Sequence, residues 1–303
     1  MRKEQFLSIR PRNLSSPFHS NTNTKITGPA STHQDVDLSV NSQYGPSYIF
    51  ESCTFSSLVN TGDGGAITCT GSVSDSWKPQ LIIQRCSFHS CNSSSGFGGG
   101  VYAGGLPSSF VEKSTFVGCH SIEKRGGGIY LSSSVGFPVV SDNAFISCYA
   151  RVDSGSSGSV DDGGGIYITV TMLSTQLYYI LQSCRFVSCG CYSWGGGVYV
   201  YSPSAIVSCS DSLFSSCTSL GGKGIGTDLR STHSEFLTFF CFFTSEPSNS
   251  LVPDISINHN AGTFSESSIL HSFTTNDASK SVKTYVDWKD PTLRNWLPQG
   301  VIK

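Results

Sequence analysis

Residues 116–131 read Phe116-Val117-Gly118-Cys119-His120-Ser121-Ile122-Glu123-Lys124-Arg125-Gly126-Gly127-Gly128-Ile129-Tyr130-Leu131, and the same grammar returns along most of the chain. A Phe is followed three residues later by Cys, then by a polar stretch, then by a glycine run that a β-branched residue closes. Phe stands at positions 55, 88, 116, 145, 186, 214, 243 and 273, at intervals of 33, 28, 29, 41, 28, 29 and 30. A period this regular marks a repeat architecture.

Three residues after each Phe stand Leu58, Cys91, Cys119, Cys148, Cys189, Cys217, Glu246 and Asn276, and two residues before it Cys recurs as Cys53, Cys86, Cys184 and Cys241. Gly64-Gly65-Ala66-Ile67, Gly98-Gly99-Gly100-Val101, Gly126-Gly127-Gly128-Ile129, Gly195-Gly196-Gly197-Val198 and the weaker Gly221-Gly222-Lys223-Gly224-Ile225 each close eleven to thirteen residues after a Phe. Phe145 waits 21 residues for Ile166 after Gly163-Gly164-Gly165. The extra length, Arg151 to Asp162, is rich in Ser, Gly and Asp and reads as a loop inserted into one repeat.

After the glycines, apolar residues alternate, as in Val101 and Ala103, Ile129 and Leu131, or Ile166 and Ile168. Period two means a strand with one face inward. A second alternating pair precedes Phe, as in Tyr48 and Phe50 or Leu81 and Ile83. Each unit therefore offers about three short strands, too few to bury their own apolar face unless units stack. The fold expected is all-β: a single-stranded right-handed parallel β-helix of about eight coils, on the order of 40 Å long at the ~4.8 Å strand separation. Glycine at the corners allows φ > 0 or close approach of neighbouring coils, and the recurring Phe and Cys are expected to stack as inward ladders.

The Phe-x-x-Cys step, with Asn in its last occurrence, followed by Gly-Gly-Ala-Ile or Gly-Gly-Gly-Ile/Val resembles the Phe-x-x-Asn and Gly-Gly-Ala-Ile repeats of the chlamydial polymorphic outer-membrane proteins and of the pectin-lyase-like repeat proteins of some protists. The resemblance spans roughly residues 47–286. It implies the right-handed pectin-lyase-like β-helix and a role in surface adhesion or display. Five of the eight positions carry Cys where that family has Asn.

The expected division is a polar N-terminal tail and cap over residues 1–46, a parallel β-helix over 47–286, and a C-terminal cap or linker over 287–303 with Trp288 and Trp296. Within the tail, Val36, Leu38 and Val40 alternate as a capping strand would. Charged residues make up 13% of the chain and the net charge is -2, so no basic field for nucleic acid is present. No apolar run is long enough to span a membrane, and Met1 to Asn13 has basic residues without the apolar core of a signal peptide.

A pectate-lyase-like or hydrolase-like chemistry needs carboxylates gathered on one strand face, and no such set recurs, so no catalytic residue and no cofactor is expected. Asp63, Asp161 and Asp162 precede glycine runs and read as acceptors for turn amides; a Ca²⁺ site at Asp153, Asp161 and Asp162 is the rival reading. Cys86-x₄-Cys91 and Cys189-x-Cys191 lack the hook spacing of a zinc site, so no metal is expected. Cys91, Cys119, Cys148, Cys189 and Cys217 read as buried small apolar residues, with disulfides between coils left open. His89 and His120 lie beside polar loop residues and read as solvated. Asn13-Leu14-Ser15 and Asn92-Ser93-Ser94 are glycosylation sequons.

Tyr102, Tyr130, Tyr167 and Tyr199 each follow an inward Val or Ile, so by alternation they point outward as one stripe. The stripe reads either as cross-strand packing that stiffens the sheet or as a flat aromatic platform for a sugar or protein. The functional expectation is a non-catalytic surface module, extracellular or on the cell surface, that holds a glycan or protein partner and neither binds nucleic acid nor inserts in a membrane. A polysaccharide lyase or glycoside hydrolase on the same fold is the alternative.

Overall fold

Each alternating stretch becomes a short strand, and every strand pairs in parallel with its counterpart one repeat away, so the chain forms a right-handed β-solenoid in a computed structural model. The structure describes residues 24–30, 34–37, 47–71, 80–106, 108–133, 138–151, 161–170, 177–202, 206–219, 225–229, 235–239, 241–244, 255–259, 263–267, 273–275 and 283–284. All secondary structure among them is β.

One coil shows the plan. Gln80–Gln84 is the fore-strand, Ser87–His89 carries Phe88, Asn92–Ser93 is a two-residue strand, and Val101–Gly104 follows the glycines. The coil thus has four strands rather than three. The extra one is too short to show periodicity in sequence, yet Val59–Asn60, Asn92–Ser93, His120–Ser121, Tyr149–Ala150 and Gly190–Cys191 align as a narrow five-stranded sheet. The strands after the glycines build a nine-stranded sheet. Fore-strands and Phe strands join through Ser47–Ser56, which serves both, in a 16-stranded sheet.

The core is a set of columns. Phe55, Phe88, Phe116, Phe145, Phe186 and Phe214 stack with ring centroids 4.4 to 5.0 Å apart and planes within 7° of parallel. This spacing follows from the strand separation, because identical side chains in register repeat at that distance. Phe145 and Phe186, 41 residues apart, stack at 5.0 Å, so the insertion between them leaves the column intact. Phe243 continues the register by backbone pairing with Phe214. Phe273 does not. Its strand, Phe273–Thr275, pairs with Ile255 in the nine-stranded sheet, in the row of Ile67, Val101 and Ile129. The interval of 30 residues mimicked the repeat, but strand pairing, which spacing alone does not reveal, puts this Phe in a different column.

Three corners per coil use left-handed backbone. The corner before the glycines needs glycine for two separate reasons, seen at Gly98-Gly99-Gly100. Gly98 has φ of 68°, while a Cβ on Gly99 would stand 2.1 Å from the Gly127 carbonyl oxygen of the next coil. A Cβ on Gly100 would meet the Phe116 ring at 3.1 Å, so the third glycine makes room for the Phe column. The other two corners carry side chains at positive φ. Ser52, Arg85, Lys113, Asp142, Ser183 and Asp211 occupy one, and Ser57, Ser90, Ser147, Ser188 and Ser216 the other, all between 50° and 56°. Each is held there, against a local preference of about 1–2 kcal/mol, by the ladders on both sides.

Pairing also begins earlier than position 47. Thr24–Ala30 runs parallel to Ser47–Ser56, and Gln34–Asp37, which contains Val36, pairs with Ile67–Thr70. This part of the polar segment already belongs to the stack, because backbone pairing needs no apolar pattern. Residues 287–303, with Trp288 and Trp296, lie outside the described residues, as do Leu38 and Val40.

Candidate functional site

The outer face of the nine-stranded sheet carries the tyrosines. Tyr102, Tyr130, Tyr167 and Tyr199 are in register, and their rings stack at 5.3, 5.0 and 5.3 Å with planes 4° to 18° apart. The stripe is not open along its length. Tyr167 is 3% exposed and Tyr199 8%, whereas Tyr102 and Tyr130 are half-buried. Alternation fixes which face a side chain leaves from, but what lies over that face is a tertiary matter.

Part of the cover is visible. The Arg125 guanidinium sits over the Tyr167 ring, 4.9 Å from its centroid, and donates from Nη1 to the Tyr167 hydroxyl at 3.0 Å. Its Nε faces Asp162 Oδ2 at 3.3 Å. At the open end, Phe97 packs 4.6 Å from Tyr130 and 6.2 Å from Tyr102, and Lys124 Nζ lies 5.9 Å over the Phe97 ring. The Tyr102 hydroxyl occupies space that a side chain at Gly104 would need, so glycine there lets the ring lie along its own strand. Phe97, half-buried beside the stripe, had no signal in sequence beyond preceding a glycine run. Burial raises the Tyr102 hydroxyl pKa and takes Tyr130 to about 12, so these rings stay neutral phenols that donate and accept.

The aspartates before the glycine runs act across coils. Asp63 Oδ1 accepts the Phe97 amide at 2.8 Å, and Asp162 Oδ1 accepts the Trp194 amide at 3.2 Å, each reaching the same step of the next repeat. Asp161 Oδ2 accepts the Tyr192 amide at 3.2 Å. Burial raises the Asp162 carboxyl to about 6, opposed in part by Arg125. Asp153 lies outside the described residues. Among the described residues no group of three or more His, Cys, Asp or Glu is placed to hold a metal ion, and no helix is long and apolar enough to cross a membrane.

The cysteines form two ladders. In the first, Cys119, Cys148, Cys189 and Cys217 are buried, and each thiol donates to the carbonyl of the Phe one coil back, Phe88, Phe116, Phe145 and Phe186, at 3.4 to 3.7 Å. Cys91, also buried, donates to its neighbour His89 at 3.5 Å. These thiols are therefore weak hydrogen-bond donors as well as apolar fillers. In the second ladder Cys, Ser and Asn interchange. The Cys53 amide donates to Cys86 Sγ, the Cys86 amide to Ser114 Oγ, and the Ser114 amide to Asn143 Oδ1, at 3.4, 3.0 and 2.8 Å. Any residue with a short polar tip serves there, which is why Cys alone revealed only part of it.

Among the described residues, the exposed large apolar side chains lie on or next to the narrow sheet. Val59 is 66% exposed and Tyr149 37%, with Asn92 and His120 between them in register, and Tyr192 beyond is 69% exposed. His120 is half-buried with its ring edge-on to Tyr149 at 5.6 Å, and burial lowers its pKa. It is thus part of a strand rather than a solvated turn. His89 is exposed and contacts Ser87 Oγ at 2.7 Å. Asn92 stands on a strand of this sheet, and Asn13 lies outside the described residues.

Parallel coils, in-register ladders and an ordered outer aromatic row define a β-solenoid repeat scaffold. The family described as right handed beta helix region matches residues 19–176, and the chain belongs to it. No curated protein and no solved structure matches the chain.

Proposed function

We propose that this chain is a non-catalytic interaction module, an adhesin-like scaffold displayed outside the cell or on its surface, which holds a glycan or protein through the open end of the tyrosine row. The observation that carries this reading is the half-exposed group of Phe97, Tyr102 and Tyr130, stacked on a rigid sheet with Lys124 above Phe97. Rings already held by packing lose little rotamer freedom on binding and offer both apolar faces and hydroxyl groups, a property that sugar platforms and protein hot spots share. Tyr167 and Tyr199, buried at the other end of the row, brace it rather than contact the partner.

Replacing Tyr102 and Tyr130 together by Ser tests this on a glycan and protein array. Binding by the parent is expected to be lost in the double variant while its circular dichroism stays β-rich. Parent-like binding by the folded double variant would place the contact surface elsewhere.

A carbohydrate-active lyase or hydrolase on the same fold is the second reading, and one observation favours it. Asp162, raised to about 6 beside Arg125 and the Tyr167 hydroxyl, has the perturbed carboxyl that acid–base chemistry uses. Against it, Asp161 and Asp162 are both buried and each accepts a backbone amide of the next coil. Turnover of a polysaccharide panel that is abolished by Asp162→Asn would decide for the enzyme.

A further inference from the structure

Cys209 and Cys241 are fully buried, and their sulfurs are 3.6 Å apart. They are not register partners. Cys209 pairs with Thr238 across the fore-strands, three residues short of Cys241. The two side chains therefore approach each other from different positions on successive coils, and the Cys241 thiol also reaches the Cys209 carbonyl at 3.5 Å. The column of Cys91, Cys119, Cys148, Cys189 and Cys217 is built differently. There the Phe strands on which it follows are strictly in register, so its members repeat in one direction.

A disulfide requires sulfurs at about 2.05 Å and Cβ directions that converge. Side chains repeating in parallel at the ~4.8 Å strand step do not converge, whereas side chains that meet diagonally do. We propose that Cys209 and Cys241 are an inter-coil cross-linking site, joined as a disulfide when the chain folds in the presence of a low-molecular-weight disulfide, while the five-cysteine column remains reduced.

The chemistry is two successive exchanges. One protein thiolate attacks the small disulfide, forming a mixed disulfide and releasing one half of the reagent. The second protein thiolate then attacks the protein sulfur of that mixed disulfide and releases the other half. Two S–H bonds are lost and one S–S bond forms, and the reagent leaves as two thiols that carry both protons. The hydrogen bond with Cys241 together with burial holds the Cys209 thiol well above its ordinary range, so the exchange belongs to the time when the coils are being laid down rather than to the finished rod. The cross-link would tie residues separated by 32 positions where Phe214 leads into the strand of Phe243.

The full chain is refolded with oxidised and reduced glutathione, alkylated, and cut with trypsin, which cleaves after Lys223 and Arg230 between the two cysteines, and with chymotrypsin, which cleaves after Tyr201 and Phe214 and so parts Cys209 from Cys189, Cys191 and Cys217. Tandem mass spectrometry is expected to find the Cys209 and Cys241 peptides joined, with the column cysteines alkylated. The joined species should be absent from Cys209→Ser and from Cys241→Ser and retained in Cys148→Ala, and the linked protein should melt a few degrees higher before reductant is added than after. Alkylation of all twelve cysteines after this refolding overturns the proposal, as does linkage among the column cysteines in place of this pair. The parent chain alone yields this map, so the result stands even where a variant fails to fold.

Discussion

Gly99 lies so close under Gly127 of the following coil that a Cβ added to it would sit 2.1 Å from the Gly127 carbonyl oxygen and 2.3 Å from the His120 carbonyl carbon. The three nearest atoms are all backbone of the following coil, with no flexible side chain among them to yield. Gly118 is the contrast: at φ of 60°, its added Cβ would meet nothing nearer than Ser90 Oγ at 3.7 Å, and the corresponding corners carry Ser. Gly118→Ala is expected to cost about 1–2 kcal/mol, the left-handed penalty alone. Gly99→Ala should exceed the roughly 1–3 kcal/mol of ordinary overpacking. Urea melts of the two variants that gave equal losses would mean the coils are not in close contact at Gly99.

Phe116 is fully buried between Phe88 at 4.4 Å and Phe145 at 4.9 Å. Phe116→Ala removes a ring from the middle of the column, where neighbouring coils are fixed by their own ladders and cannot close the gap. A loss of about 3–5 kcal/mol is expected by denaturant titration. A near-neutral result would contradict the burial of the column.

Burial holds the thiols of Cys119, Cys148 and Cys189 well above their ordinary range, so almost no thiolate is present to react near neutral pH. With Cys91 and Cys217, which are buried in the same column, they are expected to react with a maleimide roughly a hundredfold or more slower in the native protein than in urea, since reaction waits on unfolding. Native labelling at the unfolded rate would show the column to be open.

Asp162 sets a pH dependence whose sign follows from its environment. Burial raises the folded-state carboxyl from 3.8 to about 6, so the folded protein holds this proton more tightly than the unfolded chain. Its contribution to stability is full below about pH 4 and is lost as pH rises to about 6, a change of about 3 kcal/mol at most. The difference in unfolding free energy between the parent and Asp162→Asn, measured from pH 4 to pH 7, should show this step. A difference that stays flat across the window would refute the assignment.

The repeat, the strand class and the inward Phe were legible because each rests on covalent spacing. A residue that must face inward once per coil recurs once per coil, and Gly98-Gly99-Gly100 recurs because one corner cannot hold a Cβ. The short strands such as Asn92–Ser93 were not legible, since two residues have no period, and neither were the left-handed corners at Ser90 or Lys113, where the cost is borne by neighbouring ladders rather than by residue choice. For the candidate site, alternation in Ile129-Tyr130-Leu131 put Tyr130 on the outer face but carried no information on what covers it.

The amino-acid sequence by itself thus determined that this protein is a β-solenoid with aromatic and cysteine columns, because local backbone demands and inward-facing periodicity act within one repeat and need only be read along the chain. Tertiary structure alone decided which tyrosines remain open, that Phe273 joins the row of Ile255 rather than that of Phe243, and that Cys209 meets Cys241. Each of these depends on contacts between residues about a coil or more apart, brought together by strand pairing and by side chains from other coils, and no spacing within a single repeat encodes such a contact.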